Sequence, residues 1–452
     1  MKSDWAPCFL AEIVDIHTDK VSVDDVKLGD YISTDSMLPD FGGITSAVKM
    51  PLSGKVTSFH KGDVLFSNIR TYFKKLWLAN KSGACSNDVI VFCPKEGIES
   101  HYVFHFLMNE NFIKYTIKTS KGTKMPRGDK DAILKYEFPL APRKQRKLIG
   151  DYLISFKNRI LLNHQTNQTL EQMAQALFKS WFVDFDPVID NALDAGTQVN
   201  DFPEALQHRA LLRKDSRKQA ELLNEYKPLP DDIRALFPSE FEQTDEPSIG
   251  IGGCIPKGWK VSNVGTGFNV TMGQSPPSST YNEMGNGMPF YQGKTDFGFR
   301  FPCYRIFCTA PKRLANEGDT LVSVRAPVGD VNLAKDNCAI GRGIAAVRHK
   351  IGAISFTYYS LKELERYFKR YEGEGTVFGS INQKDFNKLP FIIPSDEIIK
   401  SFEKIASSLD EKLALNAQNI SELEKLRDTL LPKLISGELQ IPEEKATNKD
   451  VV

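Results

Sequence analysis

Two stretches of the chain, 253 residues apart, repeat one heptad pattern, and no other feature restricts the fold as strongly. In the first, Ile149, Leu153, Phe156, Ile160, Asn163, Asn167, Leu170, Ala174, Leu177 and Trp181 are spaced alternately four and three apart. Adding 253 to each number gives Phe402, Ala406, Leu409, Leu413, Asn416, Ile420, Leu423, Arg427, Leu430 and Leu434, with Asn163 reproduced as Asn416. Such a spacing predicts two long helices, each with an apolar seam that must be covered. The first helix is expected over 143–182, a rod of about 60 Å at ~1.5 Å per residue. Each seam can pack on the other or on its own domain, and pairing is the favoured reading. An antiparallel pair suits the connectivity, because each helix follows its own globular segment, and it lets Asn163 and Asn416 meet near the midpoint. Apolar residues off the seam exceed what a two-stranded coil buries: Leu148, Tyr152, Leu161, Leu162, Met173, Phe178, Phe182, Leu415, Leu426, Leu431 and Ile435. They imply a second covered face, supplied either by the chain's own domains or by a partner protein.

The repeat extends beyond the helices. Lys61-Gly62-Asp63-Val64-Leu65-Phe66-Ser67 returns as Glu317-Gly318-Asp319-Thr320-Leu321-Val322-Ser323, and the copies close on Arg70 and Arg325. Each then reaches a Gly-Thr pair, Gly122-Thr123 and Gly375-Thr376, followed by Phe138-Pro139 and Phe391-Ile392-Ile393-Pro394. The expected architecture is therefore α/β (α+β): two globular mixed α/β domains, separated by two long helices in an antiparallel coiled coil with pseudo-two-fold duplication. The segments are 1–142, the helix 143–182, an acidic linker 183–255, the second domain 256–394, the helix 395–437 and a flexible tail 438–452. Between the repeated strings the copies diverge, as 35–48 and 272–294 show, so one frame carries two unlike surfaces.

At 452 residues the chain exceeds one ordinary core, and 41% hydrophobic with 25% charged residues describes a folded protein. No apolar run approaches the ~20 residues of a membrane helix. Asp4 and Pro7 interrupt the place of a signal-peptide core, and seven cysteines form no framework, so a reducing cytoplasm is expected. The net charge of +1 conceals opposed regions. Residues 184–246 hold fifteen acids against seven bases, whereas 114–147 hold eleven bases against three acids. The basic stretch is either a solvated face or one that meets a polyanion.

Catalytic signatures fail on spacing. Gly293-Lys294-Thr295 lacks the upstream glycine of a phosphate loop, since position 288 is methionine. Ser275-Pro276-Pro277-Ser278 lacks the aromatic that would stack on a flipped base. Asp410-Glu411-Lys412 has the letters of a nuclease but lies on the second heptad helix and reads as a solvated face. His101 and His105 are one turn apart amid Tyr102, Val103 and Phe104, which favours a core helix over a metal site. Cys303 and Cys308 have no matching pair nearby.

Several strings together resemble the specificity subunit of type I restriction-modification enzymes: Gly258-Trp259, Gly273-Gln274-Ser275-Pro276-Pro277-Ser278 with Tyr281-Asn282, and Pro289-Phe290-Tyr291-Gln292-Gly293. Others are Leu177-Phe178-Lys179-Ser180-Trp181-Phe182-Val183-Asp184-Phe185-Asp186-Pro187, Leu236-Phe237-Pro238-Ser239-Glu240-Phe241, and Leu430-Leu431-Pro432-Lys433-Leu434-Ile435-Ser436-Gly437-Glu438-Leu439. The resemblance implies a non-catalytic reader of double-stranded DNA in a prokaryotic cytoplasm, recognising a bipartite, asymmetric target. It implies two modification subunits that methylate adenine with S-adenosylmethionine, and restriction subunits that use ATP and Mg. A self-contained nuclease or methyltransferase, or a scaffold without a DNA role, are the alternatives.

Base reading calls for Arg, Lys, Gln and Asn on loops and strand ends. The candidates are Arg70, Lys74, Lys75, Lys121, Lys124 and Arg127 in the first domain. In the second they are Gln274, Ser275, Gln292, Lys294, Arg300, Arg325, Arg342 and Gln383. Helices of this length would set half-sites one to two duplex turns apart.

Overall fold

The computed structural model describes residues 4–225, 227–371 and 379–442; Gly375-Thr376 and tail residues 443–452 lie outside them. The chain divides into two compact units, Met1–Gln165 with Asn416–Val452, and Thr166–Leu415. The long helices run over Arg143–Phe182 and Asp396–Ser436. They are not separate bodies, because each gives one half to each unit. The physical reason is the destination of the seams.

In the first unit, Ile149, Leu153 and Phe156 from the start of one helix share a core with Leu431, Leu434 and Ile435 from the end of the other. In the second, Ala174, Phe178, Trp181 and Phe182 from the end of the first helix meet Ile398, Ile399, Phe402 and Ala406 from the start of the second. Start therefore meets end in both units, and the helices pair antiparallel. The Phe178 and Phe402 rings are 5.6 Å apart, and the Asn167 amide Nδ2 donates to the Leu413 carbonyl at 3.3 Å. Asn163 and Asn416 are both buried. The off-seam apolar residues divide: Phe178, Phe182, Leu431 and Ile435 enter the cores, whereas Tyr152, Leu161, Leu162, Met173, Leu415 and Leu426 stay exposed.

The duplication is written in the sheets. The first unit has an antiparallel sheet ordered Val14–Ile16, Val89–Pro94, Val64–Ser67, Leu76–Leu78. The second repeats it as Phe268–Met272, Ile344–His349, Thr320–Ser323, Val331–Leu333. In both, the second and third strands are continuous apolar runs, buried on both faces, as Val64 to Phe66 and Ile344 to Val347 show. Each unit adds a second sheet with one parallel pair, Tyr31–Ile32 beside Gly83–Cys85, and Met288–Tyr291 beside Cys338–Ile340. Each also has a ribbon that leads into its long helix, Pro7–Phe9 with Glu137–Pro139 and Lys260–Asn263 with Pro390–Ile393.

Three expectations need correction here. The acidic segment is not a passive linker: helices Asp186–Asp194 and Glu204–Leu222 are joined by a ladder of arginines and aspartates at four-residue spacing. Arg209 binds Asp186 at 2.6 Å, Arg213 binds Asp190 at 2.7 Å, and Arg217 binds Asp194 at 2.8 Å. Asp410 is not on a solvated face, because its carboxylate lies 2.7 Å from the buried Arg300 guanidinium. Lastly, the described start of the tail, to residue 442, is tied down at Ile441, whose N–H and carbonyl both bond the Gln145 amide, at 3.2 and 2.9 Å.

His105 is fully buried in helix Ser100–Leu107, with Nδ1 2.8 Å from the His101 carbonyl. Burial holds its pKa down at about 3 against the ordinary 6.5, despite the pull of that carbonyl. Between those values the unfolded chain binds the proton and the folded chain does not, so stability falls as pH drops from about 6.5. The slope from this one group approaches about 1.4 kcal/mol per pH unit. Chemical denaturation of the full chain between pH 4 and 7 is expected to show a shallower decline in His105→Leu than in the parent.

Candidate nucleic-acid interface

In the second unit the sheet ends converge on one glycine-flanked turn, Gly341-Arg342-Gly343. Gln274 N–H donates to the Ile340 carbonyl at 3.0 Å, Arg342 N–H to Ser275 Oγ at 3.3 Å, and Gly341 N–H to the Tyr291 carbonyl at 2.8 Å. Glycine is required by close approach, since a Cβ on Gly343 would sit 2.1 Å from the Gln292 carbonyl oxygen. Strand Thr320–Ser323 ends beside the same turn, with Val324 N–H on the Gly343 carbonyl at 2.8 Å, and Arg325 bridges to Ser380. Four side chains far apart in sequence, Gln274, Gln292, Arg325 and Arg342, are thus gathered by backbone bonds. All four are exposed and have no side-chain partner among the described residues. Gln383 lies nearby with Nε2 3.4 Å from the Val270 carbonyl, and Lys294 is paired with Asp330 at 3.0 Å.

The first unit repeats the arrangement with other residues. Arg70 N–H donates to the Pro126 carbonyl at 2.9 Å, and bridges join Ile69 to Arg127 and Lys121 to Arg127. Most cations here are already paired: Lys121 with Asp129 at 2.5 Å, Arg127 with Asp88 at 2.9 Å, Lys74 with Glu110, and Lys75 with the Thr34 carbonyl at 2.7 Å. The Lys121 ammonium bond holds the Asp129 carboxyl below the usual carboxylate range. Arg70 and Lys124 have no acidic partner among the described residues. Two exposed aromatics, Tyr72 and Phe73, stand beside Arg70 and were not among the sequence candidates. Their place between Arg70 and Lys74-Lys75 was a readable signal.

One candidate is overturned. Arg300 is 1% exposed and cannot reach a base. Its guanidinium binds Glu171 of the first long helix at 2.9 Å and Asp410 of the second at 2.7 Å, and lies 3.5 Å from the Tyr358 ring centre. Lys362 also reaches Glu171, at 2.6 Å. Burial pushes the Asp410 pKa up and Arg300 draws it back. This cluster ties the second domain to both helices within its unit. Removing Arg300 alone leaves the buried Asp410 carboxylate without a cation while Glu171 keeps Lys362, so Arg300→Met is expected to lower stability by roughly 3 to 5 kcal/mol in a denaturant melt.

The type I restriction modification DNA specificity domain matches this chain twice, at residues 2–172 and 256–425, and the chain belongs to that family. It is 28% identical over 407 residues to the HindI specificity subunit of Haemophilus influenzae, covering 84% of this chain and 87% of that one. A chain of Methanocaldococcus jannaschii, named as the specificity subunit of a type I restriction enzyme MjaX, is 34% identical over 229 residues. That match spans about half of each, 50% of this chain and 53% of the relative. The crystal structure of a type I restriction-modification S subunit from M. genitalium shares the fold, with a TM-score of 0.52, 16% identity and 96% of each chain covered.

The unpaired arginines separate from the paired cations in a measurable way. Arg70→Ala and Arg325→Ala are each expected to weaken binding to a duplex selected on the parent chain from random sequence by about 1 to 3 kcal/mol. Each should relax base preference in one half-site only, as read by repeating the selection on each variant.

Proposed function

We propose that this chain is the DNA-reading specificity subunit of a type I restriction-modification system, recognising a bipartite, asymmetric double-stranded target. The observation that carries the reading is that exposed, unpaired side chains gather at corresponding strand ends, Arg70 and Lys124 in one domain and Gln274, Gln292, Arg325 and Arg342 in the other, in two domains that share one topology but not one set of side chains. A common frame with unlike contact residues suits two different half-sites separated by an unread spacer. Positioning falls to the cations that touch phosphates, and base discrimination to the arginines and amides.

Methyl transfer and cleavage would belong to partner chains: two modification subunits holding S-adenosylmethionine, and restriction subunits using ATP and Mg. The exposed apolar residues Tyr152, Leu161, Leu162, Met173, Leu415 and Leu426 support a protein partner along the helices. No described helix is long and apolar enough to cross a membrane, which suits work in the prokaryotic cytoplasm.

Mapping methylated adenines in the host genome with and without the gene tests this directly. One asymmetric two-part motif is expected to lose its methylation when the gene is removed. An unchanged methylation map would reject the reading. The purified chain should also retain one duplex sequence, with binding that falls steeply as salt rises. Deleting one heptad from the first long helix together with the facing heptad of the second should alter the preferred spacer and preserve both half-site sequences.

A further inference from the structure

The turn that follows strand Val64–Ser67 in the first unit has features that base reading by Arg70 does not require. Tyr72 and Phe73 lie side by side at its tip, 46% and 40% exposed, with ring centres 4.8 Å apart. Many aromatics of the first unit are buried, including Phe66, Phe92, Phe104, Phe106 and Phe112, and Phe9 and Tyr152 are exposed singly, away from this turn. The turn is stiff. Phe73 N–H bonds the Arg70 carbonyl and Lys74 N–H the Thr71 carbonyl, both at 2.9 Å. From the other side, Asp40 N–H bonds the Phe73 carbonyl and Phe41 N–H the Lys74 carbonyl, again at 2.9 Å.

Backbone strain concentrates in the same place. Six non-glycine residues among those described have positive φ, and four of them meet here: Asp40 at 50°, Phe41 at 60°, Arg70 at 49° and Lys74 at 53°. Side chains tolerate that region poorly, so surrounding structure must hold them there. A strained, doubly clamped turn that presents two bare rings is ordered in advance of any partner.

The ring pair is framed by positive charge. Arg70 and Lys124 have no acidic partner among the described residues, whereas Lys74, Lys121 and Arg127 are paired with Glu110, Asp129 and Asp88, and Lys75 with the Thr34 carbonyl. The Lys75 ammonium is 5.9 Å from the Phe73 ring centre. An apolar tip inside a cationic frame matches a duplex, whose phosphates flank an apolar stack of bases, better than it matches an apolar protein surface. The second unit does not repeat the device: the positions corresponding to Tyr72 and Phe73, counted from Arg325, are Pro327 and the buried Val328.

We propose that Tyr72 and Phe73 form an aromatic wedge that enters the duplex at a base step in the half-site read by the first unit. It unstacks that step while Arg70 and the neighbouring lysines hold the flanking phosphates. The inference rests on the DNA-reading function proposed above and adds a deformation confined to one of the two half-sites. Specificity there depends in part on how readily the step opens, so flexible pyrimidine–purine steps are favoured.

The test uses the full chain and a duplex selected on it from random sequence, with permanganate reactivity reporting unstacked thymines. The parent chain is expected to make a thymine reactive in the first unit's half-site and none in the other. Tyr72→Ala/Phe73→Ala should abolish that reactivity and weaken binding about fivefold to a hundredfold, with base preference in the second half-site unchanged. Tyr72→Phe/Phe73→Tyr keeps both rings and should restore reactivity and affinity. Wild-type affinity in the double alanine variant would overturn the wedge. So would a parent complex with no reactive thymine at a target that contains one in that half-site. If the alanine variant fails to fold, shown by loss of the second half-site as well, the parent pattern and the ring-keeping variant decide. A parent chain that selects no sequence at all would instead reject the DNA-reading function.

Discussion

Everything in this protein depends on where the seams of the two long helices are buried. A 40-residue amphipathic helix cannot cover its own apolar stripe, and in this chain the cover is shared between the opposing helix and the core of each unit. Leu434 and Ile435 are as much a part of the first unit's core as Ile149, and Phe402 is as much a part of the second's as Trp181. A segment from the far end of the sequence therefore completes the first domain. Helix pairing and domain folding are one hydrophobic event rather than a spacer added to finished domains.

Polar interactions refine that arrangement. Arg300, Glu171, Asp410 and Lys362 place charge where only mutual compensation makes it tolerable, and Tyr358 lies against the guanidinium. The Asp186, Asp190 and Asp194 ladder with Arg209, Arg213 and Arg217 shows how an acidic stretch becomes a structural element. These three aspartates are paired within the segment, so part of its charge marks packing between two helices. In the basic stretch 114–147, Lys121 and Arg127 are partly neutralised and Lys124 is not; in the turn beside it Lys74 is paired and Arg70 is not.

Duplication followed by divergence explains how one frame supports two surfaces. The sheet order and the parallel pair persist because they serve folding. The turns that cap them change freely, from an aromatic tip after Arg70 to a buried valine at the matching place after Arg325. Buried two-faced strands such as Val64–Ser67 and Thr320–Ser323 carry the frame, and the exposed loops at their ends carry the difference.

Heptad spacing, the internal repeat and the breaks between apolar runs lie along the chain, so the helices, the doubling and the antiparallel pairing could be read from residues such as Leu153 and Phe402. Arg70 and Arg325 were legible as equivalents because the repeat aligned them. Three-dimensional placement was not legible. Arg300 shares its residue type and a loop setting with Arg342, yet one is sealed between two helices and the other is exposed, since burial depends on partners 129 positions away such as Glu171. Likewise Asp410 appears solvated by its helical neighbours until the second domain covers it. Sequence decides what local periodicity and self-similarity encode; the tertiary structure decides which charges are paired, because pairing is a property of distance in space.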